Sequence, residues 1–321
     1  MMTTLYNSLD IHPDLQEVRR IIHAQSNTSF PYIDKALDKL LSSNGKMLRP
    51  AFLILASRFG SPEKLDIHYL AAAVELLHIA TLVHDDIIDE AATRRGTPTL
   101  HTIYGKKQAV LLGDYLFSRS FRLASRRTDD ITVGRYISNI VEHVCESELR
   151  QNSGTFRLDI DFSEYHRRIT GKTAGLFAVA CFAGAWESGV DERTARRLRK
   201  IGQNVGVGFQ IIDDILDYRQ KGEKTGKPAG TDIRQGIVNL PLLCAFRKDD
   251  GTLRALFQPP VRKKKVRRIM QRVTELGGID EARRTAAAYT EKALHSVDLL
   301  PEGQARKDLR SLVEAMLRRD Y

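Results

Sequence analysis

The chain has 321 residues, 42% of them hydrophobic, and a formal net charge of +10. That balance makes a globular chain the expectation and not a disordered one, and no uninterrupted apolar run reaches the roughly 18 residues that a membrane span needs. The positive charge favours anionic partners: nucleic acid, phosphorylated small molecules or a membrane surface.

Cys145, Cys181 and Cys244 lie far apart with no CxxC or Cys/His spacing, so we read them as reduced thiols in or near the core and not as zinc ligands. The first residues, "MMTTLYNSLDIHPDLQEVRR", lack a basic segment followed by an apolar one. The expected location is therefore cytoplasmic.

Apolar residues at three- and four-residue spacing predict helices over 12–25, 31–43, 50–59, 66–92, 105–126, 129–152, 161–187, 191–220, 236–249, 260–276, 278–297 and 303–318. Between them fall the punctuating segments "SNG", "GSPE", "RRGTP", "KTGKPAGTD" and "QPP". Pro50 suits a first helical position, where its missing N–H is not needed. Strand-like alternation is scarce and no low-complexity linker divides the chain. The expectation is one all-α domain over residues 1–321. The run "VRKKKVRRIMQRV" at 261–273 reads as a solvated helix face, and no zinc-finger or RNA-recognition signature accompanies it.

The helices over 66–92 and 191–220 would each span about 40 Å. Both are apolar through the middle and both end in the same pattern, "DDIID" at 85–89 and "DDILD" at 213–217. Asp85 and Asp89 lie one turn apart on one face, as do Asp213 and Asp217, with Asp86 and Asp214 rotated by about 100°. A carboxylate near a helix C-terminus opposes the helix dipole. Helix stability therefore argues against these residues, and function argues for them.

Clustered carboxylates suit Mg²⁺, which takes one or two of them together with substrate phosphates. Six aspartates carry −6 and an organic diphosphate about −3. Three Mg²⁺ return +6, leaving lysine and arginine to complete the neutralisation. Arg94 and Arg95 follow the first pattern, Lys224 and Lys227 follow the second, and Lys172 sits in "RRITGKTAG".

The ordered segments "GKMLRP", "ELLHIATLVHDDIIDEAATRRGTPT", "GKTA", "GFQIIDDILDY" and "GKPAGTDIRQGIVNLPLL" resemble the motifs of the trans-isoprenyl (polyprenyl) diphosphate synthases, over about residues 40–245. "GKPAGTDIRQG" and the terminal "RRDY" most resemble the catalytic component of two-component heptaprenyl diphosphate synthases. The resemblance implies an isoprenoid synthase fold of antiparallel helices around a deep central cavity. It implies a homodimer, or a heteromer with a small regulatory subunit. It also implies a prenyltransferase that condenses an allylic diphosphate, such as farnesyl diphosphate, with isopentenyl diphosphate for a quinone (menaquinone) side chain.

By that resemblance Asp85, Asp89 and Asp213 hold Mg²⁺, three ions per site, with Asp86, Asp214 and Asp217 in support. Arg94, Lys172 and Lys227 match the cations on the allylic diphosphate, and Thr173 and Gln210 match polar contacts at the same centre. Gly45, Lys46, Arg49, His78 and Arg95 match the isopentenyl diphosphate site. One departure is "GIVNLP", where Ile237 stands in place of a common lysine.

Chain length follows from residues about one turn upstream of Asp85. Ala80 and Thr81 are small where short-chain relatives place aromatics, so the product should be long, about 30 to 40 carbons with about 35 favoured, its tail running along the helix. Leu77, Val74, Phe117 and Phe121 are candidates to line or floor the tunnel.

The alternatives are a geranylgeranyl-type short-chain synthase and a terpene cyclase, which carries a different second metal motif. A regulatory subunit fits poorly because both aspartate patterns are kept. A nucleic-acid binder leaves the six aspartates unexplained, so no nucleic-acid partner is expected. No transmembrane segment is expected either, only peripheral membrane contact when a lipid product leaves.

Overall fold

The computed structural model describes the chain except residues 1, 27–29, 32–33, 36–37, 39, 41–45, 62, 95, 126–130, 219–228 and 318–321. The predicted 31–43 helix lies largely among those exceptions, as does the terminal "RRDY". Elsewhere the all-α expectation holds. The described strands are two of two residues each, Thr93–Arg94 and Thr97–Pro98, paired antiparallel in a small hairpin.

The centre is built from four helices. Leu48–Ser57 is buried along its whole length, and so is Gly175–Ala185 within the Gly175–Trp186 helix. Lys64–Ile88 and Glu192–Leu216 are the two long helices that carry the aspartates. Gly175–Trp186 packs between Leu48–Ser57 and Glu192–Leu216. Lys64–Ile88 is covered by Lys106–Ala124, and Glu192–Leu216 by Gly278–Asp298. Glu192–Leu216 starts cleanly because the Asp191 carboxylate accepts the Thr194 N–H at 3.0 Å. It approaches its neighbour closely because Gly206 has no side chain. A Cβ there would lie 2.5 Å from the Ala174 Cα.

Pro50 proves to be the third residue of its helix, not the first. It is tolerated for the reason expected, because the first four N–H groups of a helix have no intrahelical partner. Two segments, Asp66–Ile88 and Phe162–Trp186, are long and apolar enough to cross a membrane, but they are 61% and 83% buried inside the fold. They are core helices of the bundle.

The predicted 161–187 helix differs in one respect. An α-helix, Phe162–Ile169, passes into a π-helical turn, Thr170–Ala174, before α-geometry resumes at Gly175. That turn is the "GKTA" segment. Single π-turns inside α-helices re-aim side chains and recur at functional sites.

Candidate active site

The two aspartate patterns end their helices in the same way. Asp89 and Asp217 are the C-caps, and their N–H groups reach back to the carbonyls of Asp85 (2.8 Å) and Asp213 (3.2 Å). In each pattern the middle aspartate is buried, Asp86 and Asp214, while the outer two are half-buried.

The buried pair is held by protein groups. Both oxygens of Asp86 accept from Arg94 Nε, at 2.9 and 3.0 Å. The Thr93–Pro98 hairpin carries Arg94 back to that point. Asp214 accepts from the Tyr165 hydroxyl (2.7 Å), Gln210 Nε2 (3.0 Å) and the Leu240 N–H (3.2 Å). Arg94 and Gln210, matched by resemblance to the substrate diphosphate, thus also anchor the two aspartate patterns.

The π-turn joins these two centres. Lys172 Nζ lies 3.7 Å from Asp85 Oδ2 and 2.5 Å from Glu148 Oε1, on the Ile131–Ser153 helix. The next residue, Thr173, donates from Oγ1 to Gln210 Oε1 at 2.7 Å, and Gln210 in turn donates to Asp214. Consecutive side chains therefore touch the first aspartate pattern and the network of the second. Gly171 makes the approach possible, since a Cβ there would lie 1.9 Å from Ser147 Oγ.

Electrostatics follow from burial and proximity. Burial pushes the Asp214 carboxyl up to about 6, with Asp232 adding to the rise and the bonds from Gln210 and Tyr165 opposing it. Burial and Asp232 push Asp217 up to about 7, against the Thr231 and Asp232 N–H groups that it accepts. Burial alone would lower Lys172, but Asp85 and Glu148 outweigh it and hold the ammonium above its usual value. Glu148 is raised by burial, with Lys172 opposing and Asp85 adding. Sites with paired, shifted groups are candidates for binding charge.

Arg49 is buried in the first turn of its helix, two residues after Met47 in the left-handed region (φ 47). Its guanidinium carbon lies 4.7 Å from the centre of the Phe177 ring. Burial brings it down to about 10, with Glu75 and Asp213 opposing the shift. Its Nε finds no hydrogen-bond partner among the described residues. Lys46 is exposed and His78 half-buried on the Lys64–Ile88 helix. Gly45, Arg95, Lys224 and Lys227 lie outside the described residues.

Of the chain-length residues, Ala80 is fully buried and Thr81 half-buried, its Oγ1 donating to the His78 carbonyl at 2.7 Å. Phe117 is half-buried against His84, with ring centres 5.4 Å apart. Phe121 is 40% exposed. Val110 and Leu111 on the same helix are exposed to a similar or greater degree. Ile237 is half-buried, and the adjoining Asn239 accepts from the Tyr218 hydroxyl and donates to Asp232. Glu148, Tyr165, Asp232 and Asn239 escaped the sequence reading. Glu148 and Tyr165 lie in segments that nothing marks, whereas Asp232 and Asn239 fall within the quoted segment "GKPAGTDIRQGIVNLPLL" without being singled out.

Among the described residues no three His, Cys, Asp or Glu side chains stand ready to hold a metal ion. The donor set nevertheless fits Mg²⁺. It consists of carboxylate oxygens in two groups, as expected where the substrate's phosphates complete the coordination.

The polyprenyl synthetase family model matches residues 30–276. The chain belongs to that family. Heptaprenyl diphosphate synthase component 2 of Geobacillus stearothermophilus is 36% identical over 310 residues, 96% of each chain. Among solved structures, geranylgeranyl pyrophosphate synthase of Lactobacillus brevis superposes with a TM-score of 0.93 at 32% identity, over 98% of this chain and 99% of the other. A polyprenyl synthase of Caulobacter crescentus, complexed with calcium and isoprenyl diphosphate, gives 0.92 at 32% identity over 99% and 98%. The fold is therefore the all-α isoprenoid synthase fold, and the chain is a prenyltransferase of the polyprenyl synthetase family.

Proposed function

We propose that this chain condenses an allylic diphosphate, such as farnesyl diphosphate, with isopentenyl diphosphate into an all-trans polyprenyl diphosphate of heptaprenyl length or close to it, destined for a quinone side chain. We further propose that it acts with a small partner subunit. The observation that carries the reading is the link through Lys172 and Thr173, which ties both aspartate patterns to one site. The relative named as a component 2 supports the partner and the product length.

Asp85, Asp89 and Asp213 would hold Mg²⁺, three ions in our reading. Bound there, the metal supplies Lewis-acid neutralisation of the charge that grows on the leaving diphosphate. Lys172, Lys227 and Arg94 bind the same diphosphate and Thr173 orients it. Asp86 and Asp214 stay on their protein donors and fix the ends of the two helices. Gly45, Lys46, Arg49, Arg95 and His78 bind isopentenyl diphosphate, whose double bond attacks the allylic carbon as the diphosphate leaves. The proton lost from the new chain goes to the departed diphosphate. Buried Val74, Leu77, Ala80 and Val83 keep water from the allylic cation, and small Ala80 leaves room for the growing tail. Ile237 withholds a cation from the loop after the second pattern, a deficit that the partner subunit would offset.

The test is purified chain with farnesyl diphosphate, isopentenyl diphosphate and Mg²⁺, products being read by chromatography, with and without the candidate small subunit. Heptaprenyl-range product that requires the subunit supports the whole reading. Geranylgeranyl product alone would reassign the chain to the short-chain type. Consumption of farnesyl diphosphate without isopentenyl diphosphate would make it a cyclase.

A further inference from the structure

The Lys263–Glu275 helix carries a charge pattern that the reaction does not use. Residues 251–274 contain eight lysines and arginines and no acidic residue. The helix buries Val266, Ile269, Met270 and Val273 against the body of the protein. Its opposite face shows Arg262, Lys263, Lys264, Arg267 and Arg268, all exposed. None of these five forms an ion pair among the described residues, whereas Arg272 on the same helix pairs with Asp250 and Glu275. The helix begins at Arg262 with no side-chain cap and no acid in its first turn. Cations at a helix N-terminus oppose its dipole, so helix stability does not explain them. The solvated-face reading accounts for their exposure but not for this placement.

The position is informative. Gly230 sits against the buried side of this helix, where a Cβ would lie 2.3 Å from Val266 Cγ1. The Gly230 N–H donates to the Asp217 carbonyl at 2.9 Å. Gly230 therefore links the helix that bears the cationic face to the last aspartate of the second pattern.

We propose that this face docks the protein on an anionic lipid surface, so that the long-chain product leaves directly into a membrane. Charge complementarity selects the occupant. Four to eight Lys/Arg side chains grouped on one amphipathic helix attract anionic headgroups. The apolar side of this helix is committed to the core, so the contact is electrostatic and not inserted. The choice of a lipid surface over another polyanion rests on the proposed function, since a polyprenyl diphosphate is an amphiphile that water does not carry away freely.

The test is co-sedimentation of the full chain, without substrate, with phosphatidylcholine vesicles and with vesicles in which about a third of the lipid is phosphatidylglycerol. The wild-type chain should bind the anionic vesicles and not the neutral ones, and salt of about 0.5 M should release it. The variant K263E/K264E/R267E/R268E should bind at least ten-fold more weakly, and the four-glutamine variant should fall between them. Both variants should keep the wild-type Tm, or exceed it, because they relieve the clash with the helix dipole. Both should keep wild-type kcat/KM in detergent, since none of the four residues belongs to the site. Equal binding to both vesicle types, or unchanged binding by the variants, overturns the proposal. So does a loss of kcat/KM in detergent, which would assign the face to steering free diphosphates. Tighter binding to duplex DNA than to vesicles at equal phosphate would assign it to nucleic acid. Because vesicle binding is read without turnover, it stands or falls apart from the product assay, which tests the synthase reading alone.

Discussion

Lys172 Nζ lies 2.5 Å from Glu148 Oε1 and joins the Ile131–Ser153 helix to the first aspartate pattern through its second neighbour, Asp85. Glu148 is buried and reaches the proposed Mg²⁺ ligands through this lysine and the field of Asp85 and Asp89. It is therefore a positioning residue. Glu148→Gln removes one charge-assisted bond of roughly 1.5–3 kcal/mol. Steady-state kinetics should show kcat/KM for the allylic diphosphate falling by ten-fold or more, with KM for isopentenyl diphosphate unchanged. Glu148→Asp should recover part of the loss. Equal loss toward both substrates would mean that the carboxylate serves only folding.

Metal should matter most in the presence of diphosphate. With six aspartates at the site, inorganic diphosphate alone meets repulsion, and Mg²⁺ alone finds no ready three-ligand cluster among the described residues. Together they should raise Tm by about 5 °C or more at ligand concentrations near 100 Kd. EDTA should return Tm to that of the ligand-free chain and abolish turnover. Differential scanning fluorimetry with each ligand omitted in turn checks this.

Asp214 and Asp217 give a pH dependence of definite sign. Both carboxyls are pushed up in the folded chain, to about 6 and about 7. Between about pH 4 and 7 the folded state holds protons that the unfolded chain has released, so these groups lower stability as pH rises through that window. In EDTA, Tm plotted against pH should therefore fall less steeply for Asp217→Asn than for the wild type. Identical slopes would contradict the shift. Mg²⁺ with diphosphate should raise the wild-type Tm most at and above pH 7, because binding requires the ionised carboxylates.

Ala80 is fully buried on the aspartate helix, close to one turn upstream of Asp85. Ala80→Phe should shorten the product by at least one isoprene unit, read by chromatography. It should also lower Tm, since overpacking costs about 1–3 kcal/mol. Unchanged product length would remove Ala80 from the ruler. Phe121→Ala tests the tunnel reading of that residue: a longer product would place Phe121 against the growing tail, and an unchanged product would remove it from the ruler.

The sequence carried what is local. Helical periodicity marks each long helix, and two identical aspartate patterns stand out because their residue type conflicts with the dipole of the helix that bears them. Lys172 was legible as a cation in "RRITGKTAG", and Thr173 by the resemblance of "GKTA" to the family motif. Their partners were not. Glu148 lies 24 positions before Lys172 with no periodic or charge signature, and only tertiary packing brings the two together. The π-turn was illegible because a change of hydrogen-bond register within a helix leaves no compositional trace. The second role of Arg94, on Asp86, depends on a hairpin of which the sequence showed only the turn residues.

The central claim is that both aspartate patterns act on one diphosphate, and a double-mutant cycle tests it most directly. Binding of an unreactive allylic diphosphate analogue in Mg²⁺ should be measured by calorimetry for the wild type, Asp85→Asn, Asp213→Asn and the double variant. Each single change should cost affinity at least ten-fold, and the double change should cost clearly less than the sum of the two, because residues that share a ligand are coupled. Fully additive losses, or full affinity in either single variant, would contradict a shared diphosphate.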